Sequence, residues 1–224
     1  MRFFTACALL ACALAAPASF AQLAPVQPGD VLVYERSDKP GPGPARGVYR
    51  WVVSEKQAFR VIRKPAGQMV LVGGAKFALF DPVTFSLVDL PSADVPNAAF
   101  PINIETDRTT KEYPTGQRWG MIITLPFSAP DGTCKGQMRQ EIVAVSLGVV
   151  SASIDNGDSV DKAAINVAQE GRYNNCASQG AFTRALHYSP QLQVPTMIED
   201  VTMSPGGAIR SGWRLVLREV RRAS

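Results

Sequence analysis

Short runs of alternating apolar and polar residues dominate the chain after its first two dozen positions. In the clearest run, polar side chains recur at every second position from Lys135 to Glu141. Met138, Ile142 and Ala144 take the other set of alternate positions. Because successive side chains of a strand point to opposite faces, this pattern predicts a half-buried β-strand.

Six segments in the first half also read as strands, because they are rich in β-branched and aromatic residues. They span residues 29–36, 47–55, 57–64, 69–74, 76–81 and 84–90. Gly, Pro, Asp and Ser separate them at spacings typical of an antiparallel meander. Gly73 to Lys76 is interpreted as a hairpin turn, and the Gly- and Pro-rich residues 41–47 as a loop.

Several later segments follow the strand alternation less closely. Residues 91–115 hold four prolines and no sustained period, which indicates a long connection between two β-rich halves. Asn156-Gly157 is a hairpin signal, and residues 158–170 fit either a helix or a strand. The final segment, 209–222, fits both periods, but its β-branched content favours a strand.

In that last strand, Trp213, Leu215 and Leu217 are expected to face inward and Arg214 and Arg218 outward. The whole pattern predicts an all-β, mainly antiparallel fold, built as an open or partly closed barrel or sandwich.

The N-terminus has the character of a secretory signal peptide. One Arg precedes an apolar run, and Ser19 and Ala21 supply the small residues of a cleavage site. Pro17 interrupts the run short of the roughly 20 residues that a bilayer span needs. Residues 9–12 (LLAC) loosely resemble a lipobox that would acylate Cys12, although the apolar stretch before them is short.

We therefore expect cleavage near Ala21 and a single β-rich domain over residues 22–224, periplasmic or secreted. No transmembrane segment is expected in the mature chain. Cleavage removes one Arg, so the formal charge falls from +4 to +3. So small an excess indicates no nucleic-acid partner.

Cleavage would leave Cys134 and Cys176 as the cysteines of the mature chain. An even pair in an exported protein favours a disulfide. The pair shows neither CxxC spacing nor a nearby histidine, so a metal site finds no support. No metal and no cofactor are predicted.

His187 is the single histidine of the chain, and Ser189 follows two positions later. On a strand their Cα atoms would lie about 7 Å apart, too far for the imidazole to activate the hydroxyl. No GxSxG elbow is present, and Ser189 precedes Pro190, which favours a turn. His187 is therefore interpreted as a structural or ligand-contacting residue, and no catalytic residue is predicted.

Two short segments carry a resemblance. Residues 113–119 (YPTGQRW) resemble the FPLxxGxxW segment of exported bacterial proteins of unknown function, and residues 188–192 (YSPQL) resemble their YSPELG segment. This chain departs from them in Thr115 for Leu, in one residue fewer before the Gly, and in Gln193 where a Gly is expected. The resemblance covers roughly residues 110–220 and implies a periplasmic, β-rich, non-enzymatic protein.

The leading functional hypothesis is a periplasmic, non-enzymatic binding or interaction module for an apolar envelope component or an envelope protein. Its binding candidates are Trp119, His187 and Tyr188, since a sheet lined by aromatic residues is also a pocket for an apolar ligand. Two alternatives remain: a hydrolase that uses His187 with an unidentified nucleophile, and a structural envelope protein without a ligand.

Overall fold

The computed structural model describes residues 24–38, 51–63, 69–73, 76–91, 102–110, 112–129, 131–155 and 159–223. The expected signal peptide, Cys12, the loop at 41–47 and the Asn156-Gly157 pair lie outside these ranges. Within them, no helix is long and apolar enough to cross a membrane.

The described residues form twelve strands. In chain order they are β1 (Val31–Asp38), β2 (Val52–Arg63), β3 (Met69–Gly73), β4 (Lys76–Phe80), β5 (Leu87–Pro91), β6 (Asn103–Thr106), β7 (Arg118–Ser128), β8 (Lys135–Asp155), β9 (Ser159–Asn174), β10 (Gln179–Ser189), β11 (Val194–Met203) and β12 (Ile209–Arg221).

These strands form a single antiparallel sheet in the order β5-β4-β3-β2-β1-β12-β11-β10-β9-β8-β7-β6. Consecutive strands pair with each other except β5 and β6, which lie at opposite ends of the order. β1 also pairs with β12 and so joins the two halves of the chain. Among the described strands, β5 and β6 form the two edges, and the sheet is not closed into a barrel. The predicted all-β, antiparallel and open architecture is confirmed.

Several local predictions need correction. The segments 47–55 and 57–64, predicted as two strands, form one strand in their described parts. Glu55, Lys56 and Gln57 continue one ladder against β1 without a turn residue between them. Residues 84–86 belong to a turn, and β5 begins only at Leu87. The stretch 91–115 is not only a connection, since it contains β6, which pairs with β7.

The segment 158–170 fits either a helix or a strand by its sequence; its described part, from Ser159 onward, lies in β9, paired with β8. Two further predictions are confirmed. The C-terminal segment is β12, in which Leu217 is fully buried and Arg214 and Arg218 form ion pairs with Glu199 and Glu35. Gly73 pairs with Lys76, so β3 and β4 form the predicted hairpin.

The predicted disulfide is present between Cys134 and Cys176, whose Cα atoms lie 6.0 Å apart. Cys134 immediately precedes β8, and Cys176 lies between β9 and β10. The bridge therefore ties two neighbouring turns at one end of the sheet.

The face of the sheet that carries Trp119, Ile142 and Leu186 is buried, and we call it the inner face. Side chains of β4 and β5, including Phe80 and Leu87, belong to the same hydrophobic cluster as these three residues. The edge of the first half of the sheet thus packs on the inner face of the second half. The opposite, solvent-exposed side is called the outer face.

Candidate functional site

The turn between β4 and β5, residues 81–86, is inserted against the inner face. At its tip Phe85 is fully buried, although it belongs to a connecting segment. Backbone hydrogen bonds from Phe85 N to Asp81 O and from Asp81 N to Ser86 O close the turn. The side chain of Asp81 also accepts hydrogen bonds from Val83 N and Thr84 N.

Phe85 lies at the centre of an aromatic cluster, which comprises Phe80, Phe85, Tyr113, Trp119 and Tyr188. The Phe85 ring lies 5.0 Å from the rings of Tyr113 and Tyr188 and 6.0 Å from that of Trp119, centroid to centroid. Phe80 completes the cluster 5.9 Å from Tyr188. Offset and edge-on contacts at these distances are favourable for aromatic pairs.

The inner face also binds the backbone of the turn. Trp119 Nε1 donates a hydrogen bond of 3.1 Å to Thr84 O, and the Tyr113 hydroxyl donates one of 3.2 Å to Pro82 O. Both donors are attached to rings of the aromatic cluster. The same side chains therefore supply apolar contact and a polar anchor.

Two further donors follow along the turn. Gln169 Nε2 donates to Phe85 O over 2.8 Å, and Arg184 Nη1 donates to Leu87 O over 3.0 Å. Arg184 is neutralised by a buried ion pair with Asp200, in which Nη2 lies 2.7 Å from Oδ2. The inner face thus presents a row of hydrogen-bond donors to successive backbone carbonyls of its own chain.

The turn holds this position with a strained residue. Phe85 has a φ of +57°, in the left-handed region that non-glycine residues seldom occupy. Such a conformation costs on the order of 1–3 kcal/mol and persists only where the surroundings enforce it. Here the ring contacts and the hydrogen bond from Gln169 enforce it.

Arg108 lies beside the aromatic cluster and is only 6% exposed. Its guanidinium carbon lies 4.2 Å from the ring centroid of Trp119, 4.6 Å from that of Tyr113 and 5.2 Å from that of Phe85. Cation–π contacts of this kind stabilise a desolvated cation.

The guanidinium is only partly hydrogen-bonded. Nε donates to Thr110 O and Nη2 to Glu112 O, at 2.9 and 3.0 Å. Nη1 is buried and has no hydrogen-bond partner among the described residues. An unsatisfied buried donor on a charged group is costly, so this atom marks a place where an acceptor would bind.

The pKa values of Arg108 and Tyr113 depend on the β4–β5 turn. Burial lowers the pKa of Arg108, and interactions with the Tyr113 hydroxyl and then with the Asp81 carboxylate oppose that shift. Burial also raises the pKa of Tyr113, which the charge of Arg108 opposes. Asp81, a residue of the turn itself, is therefore a carboxylate whose charge acts on Arg108.

Two of the three predicted binding residues meet in this cluster. Trp119 and Tyr188 are 3% and 5% exposed, and both rings contact Phe85. They pack against the turn and not around an open pocket. The resemblance segments at 113–119 and 188–192 also come together, because the rings of Tyr113 and Tyr188 lie 6.1 Å apart.

His187 lies apart from the cluster, since the alternation of β10 places it on the outer face. Burial and the positive charge of Arg214 lower its pKa, while Glu199 opposes the shift. Ser189 is fully buried, and its hydroxyl accepts a hydrogen bond of 3.2 Å from Leu192 N. The serine therefore stabilises the turn after β10, as the Ser-Pro sequence predicts.

The outer face carries a shallow groove that crosses β6 to β11 and has a volume of about 1070 Å³. Glu105, Glu141, Glu170 and Arg172 line it together with apolar atoms of Ile122. Glu141 is already paired with Arg139 across 3.1 Å. In the described part of the chain, no group of three or more His, Cys, Asp or Glu side chains is placed to hold a metal ion.

Two central residues of the cluster could not be recognised from the sequence. Phe85 lies in a segment that reads as a strand, and nothing in the local pattern predicts a turn with a buried tip. Arg108 is one arginine in a polar stretch that contains several charged residues. Its burial depends on rings that come from β7 and from the β4–β5 turn.

Comparison with known proteins gives little further information. No family model and no curated protein matches the chain. A structural match is found with the crystal structure described as "a putative lipoprotein from Parabacteroides distasonis ATCC 8503", at 11% sequence identity and a TM-score of 0.38. It covers 88% of this chain and 97% of that chain. At this TM-score the match supports no conclusion about this chain.

Proposed function

We propose that this protein is an exported, non-enzymatic binding module whose inner face holds an apolar component of the cell envelope. The ligand takes the place of the β4–β5 turn. One observation carries the proposal: the turn occupies an aromatic-lined site and is bound there as a ligand would be, through ring contacts and hydrogen bonds to its backbone.

The contacts of the turn define what the site can hold. The rings of Tyr113, Trp119 and Tyr188 surround Phe85 and supply apolar surface. Ligand pockets are commonly apolar, with a few polar groups that fix orientation. Here the Trp119 and Gln169 donors are such groups, and they would be left without acceptors if the site stood empty.

Strain in the turn lowers the free energy that its withdrawal requires. The left-handed backbone of Phe85 relaxes once the turn leaves. The four side-chain donors bind carbonyl oxygens, so a ligand with ester, carboxyl or phosphate oxygens can accept the same hydrogen bonds. A ligand that fills the aromatic site can therefore compete with the turn, because it makes the same kinds of ring contact and accepts the same hydrogen bonds.

Export is supported by the signal-peptide pattern of residues 1–21 and by the two segments that resemble exported bacterial proteins. A hydrolase that uses His187 finds less support from the geometry. The Ser189 hydroxyl is committed to the turn after β10, and in the described residues no hydrogen bond joins it to His187.

The decisive experiment is native mass spectrometry of the protein purified from its own periplasm, which detects a co-purifying lipid directly. A second experiment uses a neutral, polarity-sensitive fluorescent dye with Phe85→Ala. This variant opens the site, so dye binding should increase.

Phe59→Ala is the matched control, because Phe59 is also a buried ring but belongs to the separate cluster around Tyr34. An equal response from both variants, with no lipid in the native protein, would overturn the proposal.

A further inference from the structure

The charged residues around the aromatic cluster indicate which charge the ligand carries. Two of the described arginines contact the aromatic cluster or the segment that follows the turn, and one of them, Arg184, is paired with Asp200. Arg108 is not among the arginines that form ion pairs in the described part of the chain. Two groups oppose the lowering of its pKa, the Tyr113 hydroxyl and then Asp81, and Asp81 is the carboxylate of the two.

Asp81 belongs to the turn and is held there by its own capping bonds to Val83 N and Thr84 N. When the turn withdraws, this carboxylate withdraws with it. Arg108 then stays among the rings of Tyr113 and Trp119 as a desolvated cation without a counter-charge. A buried charge without a partner is strongly unfavourable, so an occupant of the emptied site must replace the lost negative charge.

On the basis of the proposed function, we propose that the ligand is a singly anionic amphiphile whose head group binds Nη1 of Arg108 and whose acyl chain replaces Phe85 and the turn. Nη1 is buried and lacks a partner even while the turn is in place. A carboxylate or phosphate oxygen satisfies this donor in a charge-assisted hydrogen bond. The donors of Trp119 and Gln169 then take further acceptor oxygens of the head or of an ester.

The other charged groups of the inner face agree with a single negative charge on the ligand. The charge of Arg184 is already compensated by Asp200, and Gln169 and Trp119 are neutral. One cation is therefore left for one anion. A cationic amphiphile would place like charges together beside Arg108, and a neutral one would leave Arg108 uncompensated.

The test compares dodecanoate with dodecan-1-ol, which share a chain and differ in charge. Isothermal titration is carried out at pH 7.5 on Phe85→Ala and on the Phe85→Ala/Arg108→Gln double variant. We expect Phe85→Ala to bind dodecanoate about 10-fold or more tightly than dodecan-1-ol, since a charge-assisted hydrogen bond exceeds the 1.4 kcal/mol of a ten-fold change. The double variant should lose this preference.

Phe85→Ala/Arg139→Gln is the matched control, because Arg139 is an exposed arginine on the outer face, paired with Glu141. It should keep the full preference for dodecanoate. Equal affinities for the two probes in Phe85→Ala would contradict the proposal that the ligand is anionic, and so would a preference that survives removal of Arg108. Neither result would contradict the proposal that the protein is a binding module. Absence of binding by either probe to any variant would overturn the proposed function as well.

A second measurement does not depend on the folding of an Arg108 variant. Carbon-13 NMR of carboxyl-labelled dodecanoate bound to Phe85→Ala reports the pKa of the head group. Beside Arg108 this pKa should be lower than that of free dodecanoate, whereas burial without a cation would raise it. A raised pKa contradicts the proposal.

The source of the amphiphile is separated with vesicles. Transfer of labelled phosphatidylglycerol to the protein, without transfer of phosphatidylcholine, identifies a membrane lipid. Binding of dodecanoate without such transfer identifies a free fatty acid. Both outcomes support an anionic head group, and equal transfer of the two lipids contradicts it.

Discussion

The ring of Phe85 meets the ring of Tyr188 edge-on, with centroids 5.0 Å apart and planes inclined by 67°. Phe85 belongs to the turn between β4 and β5, near one edge of the sheet, and Tyr188 to β10 in its other half. Their contact attaches the first half of the sheet to the inner face of the second half. The strength of this attachment can be measured.

Phe85→Ala should lower the free energy of unfolding by about 3 kcal/mol, because truncation of a buried aromatic ring removes apolar burial and leaves a cavity. Urea unfolding monitored by circular dichroism checks the value. Val149→Ala is the control, since Val149 is 71% exposed and its truncation should change the free energy of unfolding by less than about 0.5 kcal/mol. A similar loss in both variants would mean that the turn is not a packed element.

Gln193→Gly should stabilise the protein. Gln193 has a φ of +59° in the turn before β11, and its backbone N donates a hydrogen bond of 2.7 Å to Ser189 O. A left-handed conformation costs a non-glycine residue about 1–2 kcal/mol, so we expect a gain of about 1 kcal/mol in the free energy of unfolding.

Gln193→Ala is the matched control for that substitution, because it removes the same side-chain polar atoms but keeps Cβ. A rise in melting temperature for Gln193→Gly alone would show that the backbone conformation is the cause. It would also explain the Gly that the resembling YSPELG segment has at this position. An equal change in both variants would assign the effect to the side chain.

Reduction of the disulfide between Cys134 and Cys176 should lower stability. The two cysteines are 42 positions apart, and closing a loop of that length stabilises the folded state by about 4 kcal/mol in the chain-entropy model. A Cys134→Ser/Cys176→Ser variant and the oxidised protein are compared by urea unfolding. A loss below about 1 kcal/mol would show that the hydrogen-bonded turns at this end of the sheet hold without the bridge.

His187 should make stability dependent on pH. Its pKa is lowered in the folded state by burial and by Arg214, so in the window below the ordinary value of 6.5 the unfolded chain binds more protons than the folded one. The contribution of His187 is therefore fully present above pH 6.5 and is lost as the pH falls through the folded-state pKa.

His187→Gln tests this assignment, since His187 is the chain's only histidine. The free energy of unfolding of the original protein should decrease between pH 7.5 and 5.5, and that of the variant should decrease less. Parallel pH profiles for the two proteins would exclude His187 as the cause.

Much of the fold can be predicted from the sequence because strand alternation is a local property. The polar positions from Lys135 to Glu141 and the apolar positions of the last strand depend only on which face of a strand each residue occupies. The disulfide is predicted from the number of cysteines, because the expected cleavage would leave two of them, Cys134 and Cys176. The turn after β10 is predicted by the restriction that Pro190 imposes on Ser189.

The candidate site could be predicted only in part. Trp119 and Tyr188 can be recognised as aromatic residues in short motifs, but the sequence does not show that both contact the ring of Phe85. The prediction of two strands at 47–55 and 57–64 is wrong because Lys56, a charged residue between two apolar runs, reads as an interruption. In the structure the ladder with β1 continues through Lys56.

The sequence by itself determines the strands, their inward and outward positions, the disulfide and the expected export, because each depends on neighbours within a few residues or on composition. The tertiary structure alone decides that the β4–β5 turn lies on the inner face and that Phe85 stands among the rings of Tyr113, Trp119 and Tyr188. It also decides that Arg108 is buried beside them. These contacts join residues far apart in the chain, and their geometry follows from the folding of the whole sheet.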